Sequence, residues 1–134
     1  MTIFTKIIKG EIPCYKVAEN DRYFAFLDIS PMTKGHTLVV PKFAEGLEEE
    51  DYIFNLDEET YSGLMSFAKQ VAKAIESVVP CKRVGVAVMG MEVPHVHVHL
   101  IPINKEKDMV ITNPKLKLEP SEMQEIASAI ASKM

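Results

Sequence analysis

The stretch Pro94-His95-Val96-His97-Val98-His99-Leu100-Ile101-Pro102 sets the pattern around which the rest of the chain is interpreted. Histidine occupies every second position in its first half, and Val or Leu follows each histidine. Because a β-strand turns successive side chains to opposite faces, this alternation predicts a strand that carries three imidazoles on one face. The apolar face, once packed on a core, fixes the register, since a slip of one residue exchanges the two faces.

The order of the remaining elements follows from apolar spacing and turn residues. They are a short helix at 3–8, strands at 14–19, 23–28 and 36–41, a long helix between Asp57 and Pro80, a strand at 83–89, the histidine strand and a C-terminal helix. The strand at 83–89 is apolar on both faces, which favours a central position. This order predicts an α+β fold: a mostly antiparallel five-stranded sheet with a short N-terminal helix, one long helix and a C-terminal helix.

Size and composition bound the class of protein. The 134 residues, of which 47% are hydrophobic and 25% charged, predict one globular domain over residues 1–134. The net charge of −4 gives no electrostatic footprint for DNA or RNA, so no nucleic acid polymer is expected as a partner. The chain has no run of the roughly 18 apolar residues that a membrane span needs. Cys14 and Cys81 make no metal-ligand spacing, and we expect a cytosolic (cytoplasmic) protein without membrane contact.

Two roles without covalent chemistry are open to the histidine row. In a structural role, each polar ring on the sheet face needs a hydrogen-bond partner of its own. In a metal site, alternating histidines supply two zinc ligands and another residue supplies a third. Rings that project in parallel along a strand diverge, however, whereas zinc needs its donors to converge on one point.

Nucleophilic catalysis at phosphorus is the third role for the row. A neutral imidazole attacks through one nitrogen when the other carries the proton and is held by a partner. Flanking histidines are suited to donate hydrogen bonds to phosphate oxygens on which charge accumulates. The middle ring, His97, has a helper on each side, and this chemistry needs no metal.

Four segments of the chain together resemble the histidine triad superfamily of nucleotide hydrolases and transferases. Residues 95–101 match its His-φ-His-φ-His-φ-φ signature, in which φ is an apolar residue. Residues 3–13, 25–31 and 35–42 are similar to blocks in the N-terminal half of the family, in the same order and at the usual spacing. The triad is a fairly specific signal, and the three further blocks strengthen it.

The resemblance implies a role for each histidine and for one acid. His97 is the expected nucleophile that takes the nucleotidyl group as a phosphohistidine, and His99 contacts the phosphate. His95 supports the middle ring, and His36 completes the polar network. Asp28, which shares a strand face with two phenylalanines, is expected to hydrogen-bond the ribose hydroxyls. The apolar positions expected to line the base pocket are Phe4, Ile7, Ile12, Phe26, Ile29 and Leu38.

The resemblance also implies a reaction and an assembly. The reaction is hydrolysis or transfer at the α-phosphorus of a nucleoside phosphoramidate or dinucleoside polyphosphate, through a covalent nucleotidyl-histidine. The expected ligand is a purine nucleotide or a related small molecule, and no cofactor is implied. Proteins of this family are typically homodimers that join two sheets into one, and we expect a homodimer here.

The chain departs from the family just before the triad. Well-known members carry a Gly-Gln-Ser/Thr segment there that binds the α-phosphate, but this chain has Met89-Gly90-Met91-Glu92-Val93-Pro94. A carboxylate at position 92 repels a phosphate unless a cation intervenes or the side chain points away. The cysteines that bind zinc in some bacterial members are also absent, and Thr5 and Ile8 stand in that region. Two alternatives therefore stay open: a nucleotide-binding regulatory module with little catalysis, and a metal-dependent hydrolase that uses the histidine row.

Overall fold

The computed structural model describes residues 1–134 and contains one five-stranded sheet and three α-helices. In chain order the elements are α1 (Ile3–Ile8), β1 (Lys16–Glu19), β2 (Tyr23–Leu27), β3 (Thr37–Pro41), α2 (Glu58–Val78), β4 (Arg83–Ala87), β5 (Val98–Ile103) and α3 (Pro120–Ala131). Short 3-10 turns lie at Ile53–Asn55 and Glu106–Met109. The α+β fold predicted from the sequence is confirmed. None of the helices combines the length and apolarity that crossing a membrane requires.

The strand order is β1-β2-β3-β5-β4, and all neighbouring strands are antiparallel. The prediction that the strand at 83–89 is central is wrong, because β4 lies at the edge of the sheet and Val86 is 51% exposed. Apolar residues on both faces of a strand indicate that other elements pack on those faces. They do not indicate how many strands flank the strand within the sheet. Met109 of the second 3-10 turn supplies such cover, since its sulfur lies 2.8 Å from where a Cβ on Gly85 would stand.

The sheet separates two apolar clusters. The larger cluster joins the sheet to α2 and α3 and includes Val96, Val98 and Leu100, the residues between and after the histidines. The smaller cluster contains Phe4 of α1 together with residues of β2 and β3. Because alternate residues of an extended chain face opposite sides, packing of the three aliphatic residues turns His97 toward Phe4. The two rings lie 5.0 Å apart between centroids, edge to face.

The regular histidine strand is shorter than its pattern predicts. β5 begins at Val98, and residues 91–95 form bends before it. The Val96 N–H donates to the carbonyl of Glu50 at 2.8 Å, so a loop takes the place of a neighbouring strand. His95 and His97 therefore lie on an irregular segment, although the alternation of faces continues through it.

Helix α2 packs tightly against the sheet at Gly63. A Cβ at this position would lie 2.0 Å from the hydroxyl oxygen of Tyr23, which donates to the Thr60 carbonyl at 3.1 Å. Alanine is favoured over glycine in a helix by about 1 kcal/mol, but overpacking typically costs about 1–3 kcal/mol. We expect Gly63→Ala to lower the free energy of unfolding, as measured by urea denaturation. The exposed Ser62→Ala serves as control, and a Gly63→Ala variant at least as stable as the parent contradicts this packing.

Candidate active site

A cavity of about 670 Å³ lies on the α1 side of the sheet, within the usual size of a ligand pocket. All seven residues predicted to bind substrate line it: Asp28, Phe4, Ile7, Ile12, Phe26, Ile29 and Leu38. Three of the four predicted catalytic histidines, His36, His97 and His99, line it as well. His95 lies outside the wall. The fold thus brings together residues from α1, β2, β3 and β5 that are distant in sequence.

The His97 ring is oriented by its own main chain. Its Nδ1 lies 2.7 Å from the carbonyl oxygen of His95. Because a carbonyl oxygen only accepts, this Nδ1 carries a proton and donates it. In the neutral ring, Nε2 then keeps a free lone pair. The ring is only 6% exposed and lines the cavity, so a reactant reaches this nitrogen from the cavity.

A chain of hydrogen bonds fixes the tautomers of His36 and His99. The main-chain N–H of Met32 donates to Nδ1 of His36 at 3.0 Å, so the neutral His36 carries its proton on Nε2. The Nε2–H of His36 donates to Nδ1 of His99, also at 3.0 Å. Neutral His99 therefore carries its own proton on Nε2, where it remains available as a donor. Such a donor, placed beside His97 at 4.9 Å between ring centroids, suits a phosphate oxygen.

Burial keeps these two histidines uncharged near neutral pH. Desolvation, followed by the positive charge of Lys115, lowers the pKa of His36 to about 4. Desolvation, followed by the neighbouring His97, lowers the pKa of His99 to about 4 as well. The relay of N–H donors described above requires these neutral forms, because a doubly protonated ring has no acceptor.

Asp28 stands at the end of β2 beside this relay. Burial raises the pKa of its carboxyl, and the hydrogen bond from the Ser30 N–H to Oδ1, at 2.9 Å, opposes that rise. Its other oxygen, Oδ2, lies 3.7 Å from Nε2 of His36, longer than a hydrogen bond. This oxygen is therefore left to accept from another group in the cavity.

His95 lies behind the cavity and is fully buried. Its Nε2–H donates to the Pro41 carbonyl at 2.9 Å, so its Nδ1 accepts from the Thr2 hydroxyl at 2.8 Å. The carboxylate of Glu49 in turn accepts from the Thr2 N–H at 3.0 Å and from the Thr5 hydroxyl at 3.0 Å. His95 therefore lies on the same side of the sheet as His97, with its ring 5.7 Å from that of Phe4 between centroids, but it does not line the cavity. Sequence reasoning missed Thr2 and Glu49, because their contacts with residue 95 are tertiary and leave no local signal.

Asp28, His36 and His99 bring their ligand atoms within 4.8 Å of one another, which is a separation that a metal ion can bridge. The chemistry of the donors does not fit such a metal, however. The Met32 N–H holds the Nδ1 lone pair of His36, so the proton stays on the Nε2 that faces the other two donors. A metal ligand must present a lone pair at that atom. The three residues therefore fit a hydrogen-bonded relay better than a metal centre.

The loop before the triad forms another part of the cavity wall. Gly90 has a φ of +70°, and a Cβ there would lie 2.5 Å from the carbonyl oxygen of Asp51. Only glycine allows both this backbone conformation and this close approach. The loop carries Glu92 into the wall of the cavity that His97 and His99 also line. The family resemblance of the sequence predicts a phosphate-binding residue close to this position.

The segment after β5 also contributes to the site, which sequence reasoning missed. Ile111 and Lys115 line the cavity, and the Leu116 N–H donates to the Pro31 carbonyl at 2.9 Å. This bond ties the segment to the loop after β2. The stretch is irregular and charged in sequence, so no periodicity indicates which face of the sheet it covers.

Comparison with known proteins places this geometry in a family. Residues 9–106 match the model of the HIT domain. The adenosine 5′-monophosphoramidase hnt1 of Schizosaccharomyces pombe is 37% identical over 135 residues, which cover 98% of this chain and 97% of the relative. A Hit-like protein involved in cell-cycle regulation from Bartonella henselae superposes with a TM-score of 0.83 at 28% identity, over 99% of this chain and 96% of that one.

A further solved structure has the same fold. A hypothetical histidine triad nucleotide-binding protein from Sulfolobus tokodaii superposes with a TM-score of 0.78 at 26% identity, over 97% of this chain and 89% of that one. The matched region contains the triad, Asp28 and His36. The resemblance noted in the sequence is confirmed, and the chain belongs to the HIT family, the histidine triad superfamily.

Proposed function

We propose that this protein is a nucleotide hydrolase that cleaves the bond between the α-phosphorus of a purine nucleotide and its leaving group, with a nucleoside phosphoramidate as the preferred substrate. The observation that carries the proposal is the orientation of the His97 ring. The His95 carbonyl holds its Nδ1–H, which leaves a lone pair on Nε2, and the ring of His99 lies beside it. The similarity to an adenosine 5′-monophosphoramidase supports an amine as the leaving group. Transfer to an acceptor other than water uses the same intermediate.

The cavity wall divides into an apolar part and a polar part that suit the two ends of a nucleotide. The base lies among Phe4, Ile7, Ile12, Phe26, Ile29 and Leu38. The free oxygen of Asp28 accepts from the ribose hydroxyls. The phosphate then lies at His97 and His99, where one ring supplies a nucleophile and the other a hydrogen-bond donor.

The reaction proceeds in two displacements at phosphorus. Nε2 of His97 attacks, the N–P bond forms, and the bond from phosphorus to the leaving group breaks. The leaving amine takes a proton from solvent. Positive charge on the nucleotidylated His97 ring is stabilised by the His95 carbonyl, which accepts from Nδ1–H. Water then attacks phosphorus and gives a proton to solvent, the N–P bond breaks with its electron pair returning to Nε2, and the nucleoside monophosphate and the neutral histidine are released.

A second candidate function is favoured by Glu92, whose carboxylate shares the cavity wall with the histidines. In that case the protein binds nucleotides as a regulatory module and turns them over poorly, because the carboxylate disfavours the phosphate.

Steady-state hydrolysis of adenosine 5′-phosphoramidate distinguishes these functions. We expect turnover by the parent protein that a chelator does not reduce. Binding of AMP without turnover, with turnover gained in Glu92→Ser, identifies the regulatory module instead. Turnover lost on chelation and regained with added zinc identifies a metal-dependent hydrolase.

We further propose that the protein is a cytosolic homodimer. The exposed edge of β4, with Val86 at its surface, suits pairing with the same strand of a second copy. Light scattering of the parent and of Val86→Lys tests this assembly, with a dimer expected for the first and a monomer for the second.

A further inference from the structure

The single lysine among the residues that line the cavity lies outside the segments that resemble the family. Two carboxylates, Asp28 and Glu92, line the cavity, and Lys115 is the one lysine or arginine among the lining residues. Buried His36 and half-buried His99 add no positive charge near neutral pH. A nucleotide phosphate brings more negative charge to a wall that already carries two acids, which disfavours binding unless a cation intervenes.

Lys115 is held in place to supply that cation. Its ammonium group donates to the carbonyl oxygens of Ile111, at 2.5 Å, and Asn113, at 3.0 Å. An ammonium group has three N–H donors, so one remains for a ligand. The hydrogen bond from the Leu116 N–H to the Pro31 carbonyl fixes the backbone of the next residue against the loop after β2.

The charge of Lys115 reaches the polar part of the cavity. After burial itself, it is the next cause that lowers the pKa of His36. For Asp28, burial raises the pKa of the carboxyl, and Lys115 opposes that rise after the larger effects of the Ser30 N–H, His99 and His97. Lys115 therefore lies within electrostatic range of His36, the hydrogen-bond partner of His99, and of Asp28 at the proposed ribose position.

We propose that Lys115 is a specificity-determining residue that binds an anionic phosphate oxygen of the nucleotide and offsets the repulsion of Glu92. The proposal rests on the nucleotide hydrolase function given above and adds the source of the positive charge. It assigns phosphate recognition to the segment between β5 and α3, because the loop before the triad lacks the polar residues for it. The ligand class is a nucleoside phosphate, as opposed to a free nucleoside.

Binding affinities for adenosine, AMP and α,β-methylene-ADP test this role by calorimetry, since none of them requires turnover. We expect Lys115→Met to weaken the binding of AMP, of the diphosphate analogue or of both by about tenfold or more, as for loss of a charged hydrogen bond. The affinity for adenosine should not change. Lys115→Arg should retain most of the phosphate affinity, because it keeps the charge. Lys117→Met, in the same segment but outside the cavity wall, is the matched control.

The outcomes separate failure of this role from failure of the function. Equal affinities of the parent and Lys115→Met for all three ligands overturn the role of Lys115 and leave the hydrolase intact. An equal loss for adenosine and for the phosphorylated ligands shows that Lys115 only shapes the segment, and also overturns the role. A parent protein that binds none of the three ligands overturns both proposals.

Discussion

His97→Ala is expected to lower kcat for adenosine 5′-phosphoramidate by at least about 10³-fold, because it removes the nitrogen that forms the bond to phosphorus. Steady-state kinetics measure the loss. Mass spectrometry of acid-sensitive adducts, quenched at neutral or alkaline pH during turnover, should find a nucleotidyl group on residue 97 of the parent protein and none on the variant.

Binding provides the control for this variant. Nε2 of His97 acts in bond formation, so AMP should still bind to His97→Ala with an affinity within about tenfold of the parent. Retained turnover, or an adduct on a different side chain, contradicts the assignment of His97. Equal loss of AMP binding and of turnover indicates that the substitution has disturbed the cavity, and His97→Gln then repeats the test with a ring-sized polar side chain.

Stability should fall in mild acid because His36, which is buried, and His99, which is half-buried, are held in neutral form. The unfolded chain binds protons at histidine near pH 6.5, whereas the folded pKa of each is about 4. Between these values the unfolded state binds more protons, so the free energy of unfolding decreases as the pH falls. We expect a loss of up to about 2 kcal/mol for His36 between pH 7 and pH 5, and a smaller loss for the less buried His99.

Urea denaturation at the two pH values measures this effect. The ring carbons of His36 and His99, followed by NMR, give the folded pKa values directly and do not depend on a variant that folds. The charged and titratable groups that act on this pair are Asp28, His97 and Lys115. A ring that protonates near pH 6.5 in the folded protein contradicts the burial argument. His36→Gln should show a weaker dependence of stability on pH than the parent.

The sequence predicted the elements and their faces well, because these depend on local periodicity. The alternation of Val96, Val98 and Leu100 with the histidines determines that the aliphatic side chains pack under α2 while His97 faces the other side. Gly10 and Pro80 mark helix ends for local reasons of backbone conformation and hydrogen bonding. The position of a strand in the sheet depends on tertiary contacts and not on local sequence. The expected central position of the strand at 83–89 was wrong for that reason.

The sequence by itself determined the family, the elements and the residue types of the site, since short-range spacing and motifs carry that information. Only the tertiary structure decided the proton on each ring. The Met32 N–H determines the tautomer of His36, and His36 determines that of His99. The His95 carbonyl determines the tautomer of His97. The tertiary structure also brought Lys115 into the wall of the cavity. Hydrogen bonds and charges between distant residues depend on how the chain folds back on itself, and no local pattern specifies those contacts.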